Sequence, residues 1–481
     1  MHFLHSADFE KELTYQDVFL MPQFSDVVSR MNVDLSPQDG TGMTLPIVVS
    51  NMTAVAGKRM SEAVTRRGGL VVLTQDMSLE RIEEIVKATK ICHPVFETPI
   101  VLDEQESVQT ALNLINKRAH RAVVIVDTQN KPVGIFTEKD AYRRDRYNRL
   151  VDVMTRDVIT VPSTQSPKEI FQTLHDRRLS IAPVVNPDGT LAGVMTKKGC
   201  VRAVQYKPAL NASGNLLTAV AVRIRSGLDE TLDRLNQIGV DMIVLDTAHG
   251  HQKMMIDAVK KARSLVGPSK PIMAGNIVGE AAAKDLIDAG ATHLKVGVGP
   301  GGACKTRMTT GVGRPQFSAV HEVSKYARAH RAFVCADGGV KHPRDVALAL
   351  AAGAHSVMIG TWFAGTYESP ADVQFDENGR MYKEQFGMAS RRAVTNRTEH
   401  TDPFEQAQKE FFEEGVSQTR MYLNPGQESV EDILDEITAG VRSACTYSGA
   451  RNLDEFHAKA IVGVQTASGY EEGKPVTKSW T

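Results

Sequence analysis

No apolar run in this chain of 481 residues is long enough to span a bilayer, and the opening MHFLHSADFEKEL has none of the pattern of a secretory leader. A membrane protein is not expected. Charge of one sign is also missing. Fifty-six Lys and Arg against 57 Asp and Glu leave a formal net charge of −1, so neither nucleic acid nor an anionic membrane is an expected partner. Paired cysteines are absent as well: Cys92, Cys200, Cys304, Cys335 and Cys445 are odd in number and far apart, without a CxxC or a His/Cys cluster at zinc spacing. That usage fits a reduced, cytoplasmic compartment. What is present, 42% hydrophobic and 23% charged residues, is ordinary for a globular chain with room for two or three domains.

Short apolar runs alternate with helix-like stretches. The runs are Pro46–Ser50, Leu70–Thr74, Thr218–Val222, Met242–Asp246, Pro271–Gly275, His293–Val298, Ala332–Asp337 and Ser356–Gly360. Ser61–Arg67, Lys253–Val266, Glu280–Asp288 and Pro343–Ala352 read as helices, and glycine ends several of them just before the next run. Eight such units predict an α/β fold, a (β/α)₈ TIM barrel, with its site at the carboxyl ends of the strands.

The gap between the second and third runs is too long for a loop, so an inserted domain is expected over 95–206, between barrel parts 1–94 and 207–481. It repeats internally: KPVGIFTEKDAYR, from Lys131, recurs as GTLAGVMTKKGCVR, from Gly189. Helices (Val108–Arg118, Lys168–Arg178) and β runs (Ala122–Val126, Ile181–Val185) precede each copy. The insert resembles a tandem pair of CBS domains, about 95–148 and 151–205, a module that often binds adenine or guanine nucleotides. Asp140 stands where such motifs place a ribose-binding carboxylate; the second copy has Gly199 there. Nucleotide sensing and a purely structural or oligomerising insert both remain open.

The most informative segment is GVGPGGACKTRMTTGVGRPQ, Gly297–Gln316. Glycines let backbone approach a ligand closely, and a thiol at the end of such a loop is a candidate nucleophile. A buried, inert Cys304 is the competing reading. At the seventh and eighth strand ends, CADGGV offers Asp337, Gly338 and Gly339, and MIGTWFAG offers Gly360 and Thr361. Glycine N–H groups there suit a phosphate, and Asp337 suits ribose hydroxyls.

The loop, the insert and the C-terminal region together resemble the IMP dehydrogenase and GMP reductase superfamily. The resemblance implies a covalent thioimidate between Cys304 and purine C2. It implies a monovalent cation, K⁺, on the carbonyls of Gly299, Gly301, Cys304 and Arg307. Gly302 then faces the substrate, Met52 of SNM lies beside it, and Gly387, Met388 and Ser390 of FGMAS recognise the purine. On the cofactor side the implied contacts are Asp246, Thr247, Ala248 and His249 of DTAHG, with Asn276. His249 as a satisfied polar residue at a strand end is the alternative there. Ser29 and Arg30 match a pair directed at the NADPH phosphate, and Arg442 begins a segment that reaches a neighbouring subunit's cofactor. The implied assembly is a homotetramer or homo-octamer.

Dehydrogenases of this family activate water with an Arg-Tyr pair in a flap, here about 391–425. No Arg-Tyr dipeptide occurs between Asn396 and Gly415, whereas Glu414-Gly415 is kept. Thr306 and Glu414 then supply the pair that protonates a departing amino group. The expected activity is NADPH-dependent reductive deamination of GMP to IMP and ammonia. Several residues depart from the reductase pattern: the CBS insert is a dehydrogenase arrangement, Gln75 and Phe411 replace a lysine and an arginine, Gly302 replaces a serine and Lys305 a threonine. IMP dehydrogenase and a non-catalytic purine-nucleotide sensor stand as alternatives.

Overall fold

The computed structural model describes residues 2–3, 11–224, 227–388, 390, 404, 415–416 and 418–475. Eight parallel strands close a barrel: β1 (Ile47–Val49), β2 (Leu70–Leu73), β3 (Ala219–Val222), β4 (Met242–Asp246), β5 (Ile272–Ile277), β6 (His293–Val296), β7 (Phe333–Asp337) and β8 (Ser356–Ile359). All eight lie within two residues of the apolar runs expected from sequence. Strands this apolar form because both faces are covered. Val48, Val72, Ala221, Val244, Met273, Cys335 and Met358 fill the interior, while their neighbours along each strand, such as Val49, Val71 and Ile243, pack outward on the helices.

The helical layer includes α1 (Lys58–Arg66), α2 (Leu79–Ile91), α3 (Leu228–Gln237), α4 (Lys253–Val266), α5 (Glu280–Asp288), α6 (Gln316–Ala329), α7 (Pro343–Ala351) and α8 (Val430–Tyr447). The first helix starts three residues earlier than expected, at Lys58, after an extended Gly57. Gly290 and Gly353 follow α5 and α7 with φ of +109° and +112°, the left-handed exit that glycine adopts without steric cost. Among the described residues no helix is long and apolar enough to cross a membrane.

The insert between α2 and β3 folds as two similar units, each with a helix and a three-stranded sheet. Their helices, Val108–Ile115 and Pro167–Asp176, end sooner than the sequence pattern suggests. The units also exchange lead-ins. Glu97 pairs with Val194 through two hydrogen bonds of 3.0 Å, and Phe96 packs in the second unit's core with Val161 and Met195. Leu150 and Met154 pack in the first unit's core instead. A boundary drawn at about 150 therefore cuts through the packing, because each core is completed by a segment the repeat does not contain.

Candidate active site

The carboxyl ends of the barrel strands surround a cavity of about 790 Å³, a size suited to a nucleotide-sized ligand. Cys304 lines it with an exposed side chain, and its S–H donates to Thr306 Oγ1 at 3.2 Å. The buried, inert reading thus fails for Cys304. It holds for Cys200, Cys335 and Cys445, where burial pushes each thiol up to about 12.

Backbone crowding shapes the loop. Gly299 has φ +83°, and a Cβ there would sit 2.2 Å from Arg307 Cγ, so the Arg307 side chain crosses a space only glycine leaves open. The Cys304 N–H closes a turn onto the Gly301 carbonyl at 3.1 Å. Buried Gln316 ends the segment by donating to the carbonyls of Val296 (2.8 Å) and Asp337 (3.1 Å). The far side of the cavity meets the loop directly: Gly415 bridges Cys304, Val416 N–H donates to Ala303 O at 3.1 Å, and Gly387 N–H donates to Val416 O at 2.8 Å. Glu414 lies outside the described residues, as does most of the expected flap.

Met52, Gly302, Gly339, Gly360, Thr361, Gly387 and Met388 all line the cavity. Gly338 does too, but its N–H donates to Met358 O at 3.2 Å, so the expected anion nest narrows to Gly339 and the Gly360–Thr361 turn. Ser390 is buried behind the wall, its N–H on the Gly387 carbonyl.

Two carboxylates flank one buried ammonium. Asp337 Oδ2 accepts from Asn276 Nδ2 at 2.8 Å and from the Lys295 ammonium. Asp246 accepts from Asn51 Nδ2 at 2.7 Å and faces Lys295 at 3.4 Å. Burial opposes the Lys295 charge, but Asp246 and Asp337 outweigh it and raise its pKa. Asn276, expected on the cofactor side, lines the same cavity. Its amide is spent inward, on Gly297 O (2.6 Å), Asp337 and Lys295.

Thr247 and Ala248 line the cavity beside Asp246. His249 is exposed and outside the lining; its carbonyl accepts from Thr247 and Gln252. Ser29, Arg30 and Arg442 also lie outside it. Ser29 caps a turn by accepting from Met31 N–H, and Arg30 donates to Ser443 Oγ at 3.2 Å. Arg442 keeps Nε and Nη1 buried with no hydrogen-bond partner among the described residues. In the insert, Asp140 accepts from Thr137 N–H and Oγ1 at 2.7 and 2.8 Å, capping its own turn. Sequence reasoning missed Lys295, Asn51 and Arg223, all lining the cavity. The signal for Lys295 was present: in HLKV the period of two puts Leu294 and Val296 on the helices and the lysine inside.

A (β/α)₈ barrel with an exposed cysteine on a glycine-rich loop against a nucleotide-sized cavity has the build of an enzyme with a thiol nucleophile. The profile of the IMP dehydrogenase / GMP reductase domain matches residues 12–476, and the chain belongs to that family. It is 48% identical to GMP reductases of Mycobacterium tuberculosis and Mycobacterium bovis over 480 residues, all of both chains. It is 35% identical to inosine-5′-monophosphate dehydrogenase of Staphylococcus aureus, covering 98% of this chain and 96% of that one. A crystal structure of a cysteine-to-alanine GMP reductase from Trypanosoma brucei with guanosine 5′-monophosphate superposes with TM-score 0.69 at 30% identity, over 99% of this chain and all of that one. Relatives named GMP reductase thus match the full length, insert included, and the insert does not mark a dehydrogenase.

Proposed function

We propose that this enzyme is a GMP reductase, converting GMP and NADPH to IMP, ammonia and NADP⁺ with Cys304 as nucleophile. The observation that carries the reading is the juxtaposition of Cys304, Thr306 and Gly415 at one wall of the cavity. Cys304 Sγ attacks purine C2. Thr306, with Glu414 next to Gly415, passes a proton to the departing amino group. When bound, NADPH supplies the hydride that C2 receives as the C–S bond breaks. The cycle needs no activated water, in keeping with the missing Arg-Tyr pair. Asp337 binds the ribose through the oxygen that Lys295 and Asn276 leave open, and Gly339, Gly360 and Thr361 hold the phosphate. The cofactor side is Asp246, Thr247 and Ala248.

The carbonyls of Gly299, Gly301, Cys304 and Arg307 would hold K⁺. Neutral peptide oxygens in a tight loop suit a weakly hydrated monovalent ion, and those of Gly301 and Arg307 each accept one hydrogen bond, leaving a second lone pair. The insert reads as a CBS pair that takes an adenine or guanine nucleotide. A homotetramer or homo-octamer is supported by the donors of Arg442, unpaired among the described residues, and by exposed Phe24, Val28 and Met31 beside Arg30. In such an assembly Ser29, Arg30 and Arg442 serve a neighbour's cofactor. A cytoplasmic location fits the unpaired cysteines.

Initial rates with IMP or GMP, each with the NAD and NADP couples, test the reading. GMP with NADPH should consume NADPH and release ammonia in equal amounts. Steady NADH formation from IMP and NAD⁺ would instead assign dehydrogenase activity.

A further inference from the structure

Lys295 is the ionisable side chain that touches both carboxylates of the site. It is 4% exposed. Its ammonium bonds Asp337 Oδ2 and Asn276 Oδ1 (2.9 Å) and lies 3.4 Å from Asp246 Oδ1. The two carboxylates are only partly buried, with side-chain exposures of 20% and 18%. The cation thus sits nearly buried in the cavity floor, while its anionic partners are more open to the space where ligands enter.

The barrel is cut to admit this lysine. A Cβ at Gly275 would lie 2.3 Å from the Lys295 carbonyl oxygen and 2.6 Å from its Cβ, so β5 carries glycine where β6 presses against it. The remaining polar neighbours converge on the same point. Asn276 is fixed by Gly297 O, the first residue of the cysteine loop, and Asp246 by Asn51. One ammonium therefore ties β4, β6 and β7 together, through a charge-assisted hydrogen bond to Asp337, about twice as strong as a neutral one, and an ion pair with Asp246.

We propose that Lys295 is a positioning residue that holds Asp337 and Asp246 in binding geometry at once, linking the nucleotide and dinucleotide subsites. It acts through the two carboxylates. The inference rests on the assignment of Asp337 to GMP ribose and Asp246 to NADPH. Its consequence is specific: loss of one buried side chain impairs recognition of two different substrates.

The test is steady-state kinetics of Lys295→Met in the full-length enzyme, with thermal unfolding alongside. We expect KM to rise for both GMP and NADPH, with kcat/KM for each falling roughly 10- to 100-fold, the scale of losing a charged hydrogen bond. Asp246→Asn is the companion variant, needed should Lys295→Met not fold. It frees Lys295 to lean on Asp337, and so should shift KM for GMP although Asp246 faces the cofactor. Lys295→Met with both KM values unchanged, or with only one raised, would overturn the proposal. So would an Asp246→Asn effect confined to NADPH. Wild-type enzyme that fails to reduce GMP would overturn the underlying assignment instead, a result visible before any variant is made.

Discussion

Two of the places where charge is buried among the described residues are built differently. At the cavity floor a single ammonium serves two carboxylates that stay partly open to the cavity they line. At the root of the insert, Arg67 and Arg202 meet four acids, Glu97, Glu431, Asp432 and Asp435, none of which lines the cavity. Arg202, on the last helix of the insert (Lys197–Gln205), donates to Asp435 (2.9 and 2.7 Å), Asp432 (2.6 Å) and Glu431 (3.4 Å), all on α8. Arg67, just after α1, donates to the other oxygen of Glu431 at 2.5 Å, and Tyr206 O–H donates to Asp435 at 2.7 Å. The first arrangement is a binding device and the second a weld that fixes the insert against the barrel. Burying paired charge adds little net stability in either place, but removing one partner of a sealed pair is costly.

The largest expected separation of the two comes from Cys304→Ser. Turnover of GMP with NADPH should drop at least ~10³-fold, because the alkoxide needed is far harder to form than a thiolate. The melting profile should stay within about 1 °C, since the side chain is exposed and on the surface of the cavity. A retained rate would remove the thiol from the mechanism.

Arg202→Met should do the reverse. It leaves Glu431, Asp432 and part of Asp435 without their shared cation. We expect a loss of about 3 kcal/mol, at the low end for sealed pairs because the Asp435 side chain is 40% exposed. Calorimetry of the full chain reads this loss, while kcat at a temperature well below the transition should change less than about threefold. A large fall in kcat without a change in unfolding would break the distinction and make the weld part of the active site.

The barrel was legible because its strands are runs of aliphatic residues with both faces covered, a pattern that survives without any knowledge of pairing. The cysteine loop was legible because glycine density and a thiol coincide within a few positions. The inward bonds of Asn276 were hidden for a physical reason: a polar residue at a strand end can turn to ligand or to its neighbours, and only the positions of Gly297 and Asp337 show which neighbours its amide meets. The exchanged lead-ins of the insert were hidden because Phe96 and Glu97 join a sheet whose other strands lie about sixty residues or more further on. The weld was hidden for the same reason, with Arg67, Arg202 and Glu431 spread along most of the chain.

Glu97 offers the finest test of the same contrast. It sits inside the weld, accepting from Thr196 Oγ1 at 3.1 Å and facing Arg67 at 3.8 Å. Burial and the nearby charge of Glu431 push its carboxyl from the ordinary 4.5 up to about 7, whereas Arg67 and Arg202, against the pull of burial, hold Glu431 below the usual carboxylate range. A carboxyl whose folded value is raised binds its proton more tightly in the folded protein. The stability this contributes is complete below about pH 4.5 and is lost as pH climbs to about 7. Glu97→Gln keeps the oxygen that Thr196 needs and removes the titration. The variant should therefore match wild type near pH 5 and be more stable by on the order of 1–2 kcal/mol at pH 8. Urea unfolding at the two pH values measures the difference. A variant that is less stable at pH 8 would mean that Arg67 gains more from the ionised carboxylate than burial takes away, and the weld would then share the logic of the cavity floor, where ionised carboxylates are what the buried cation is there to hold.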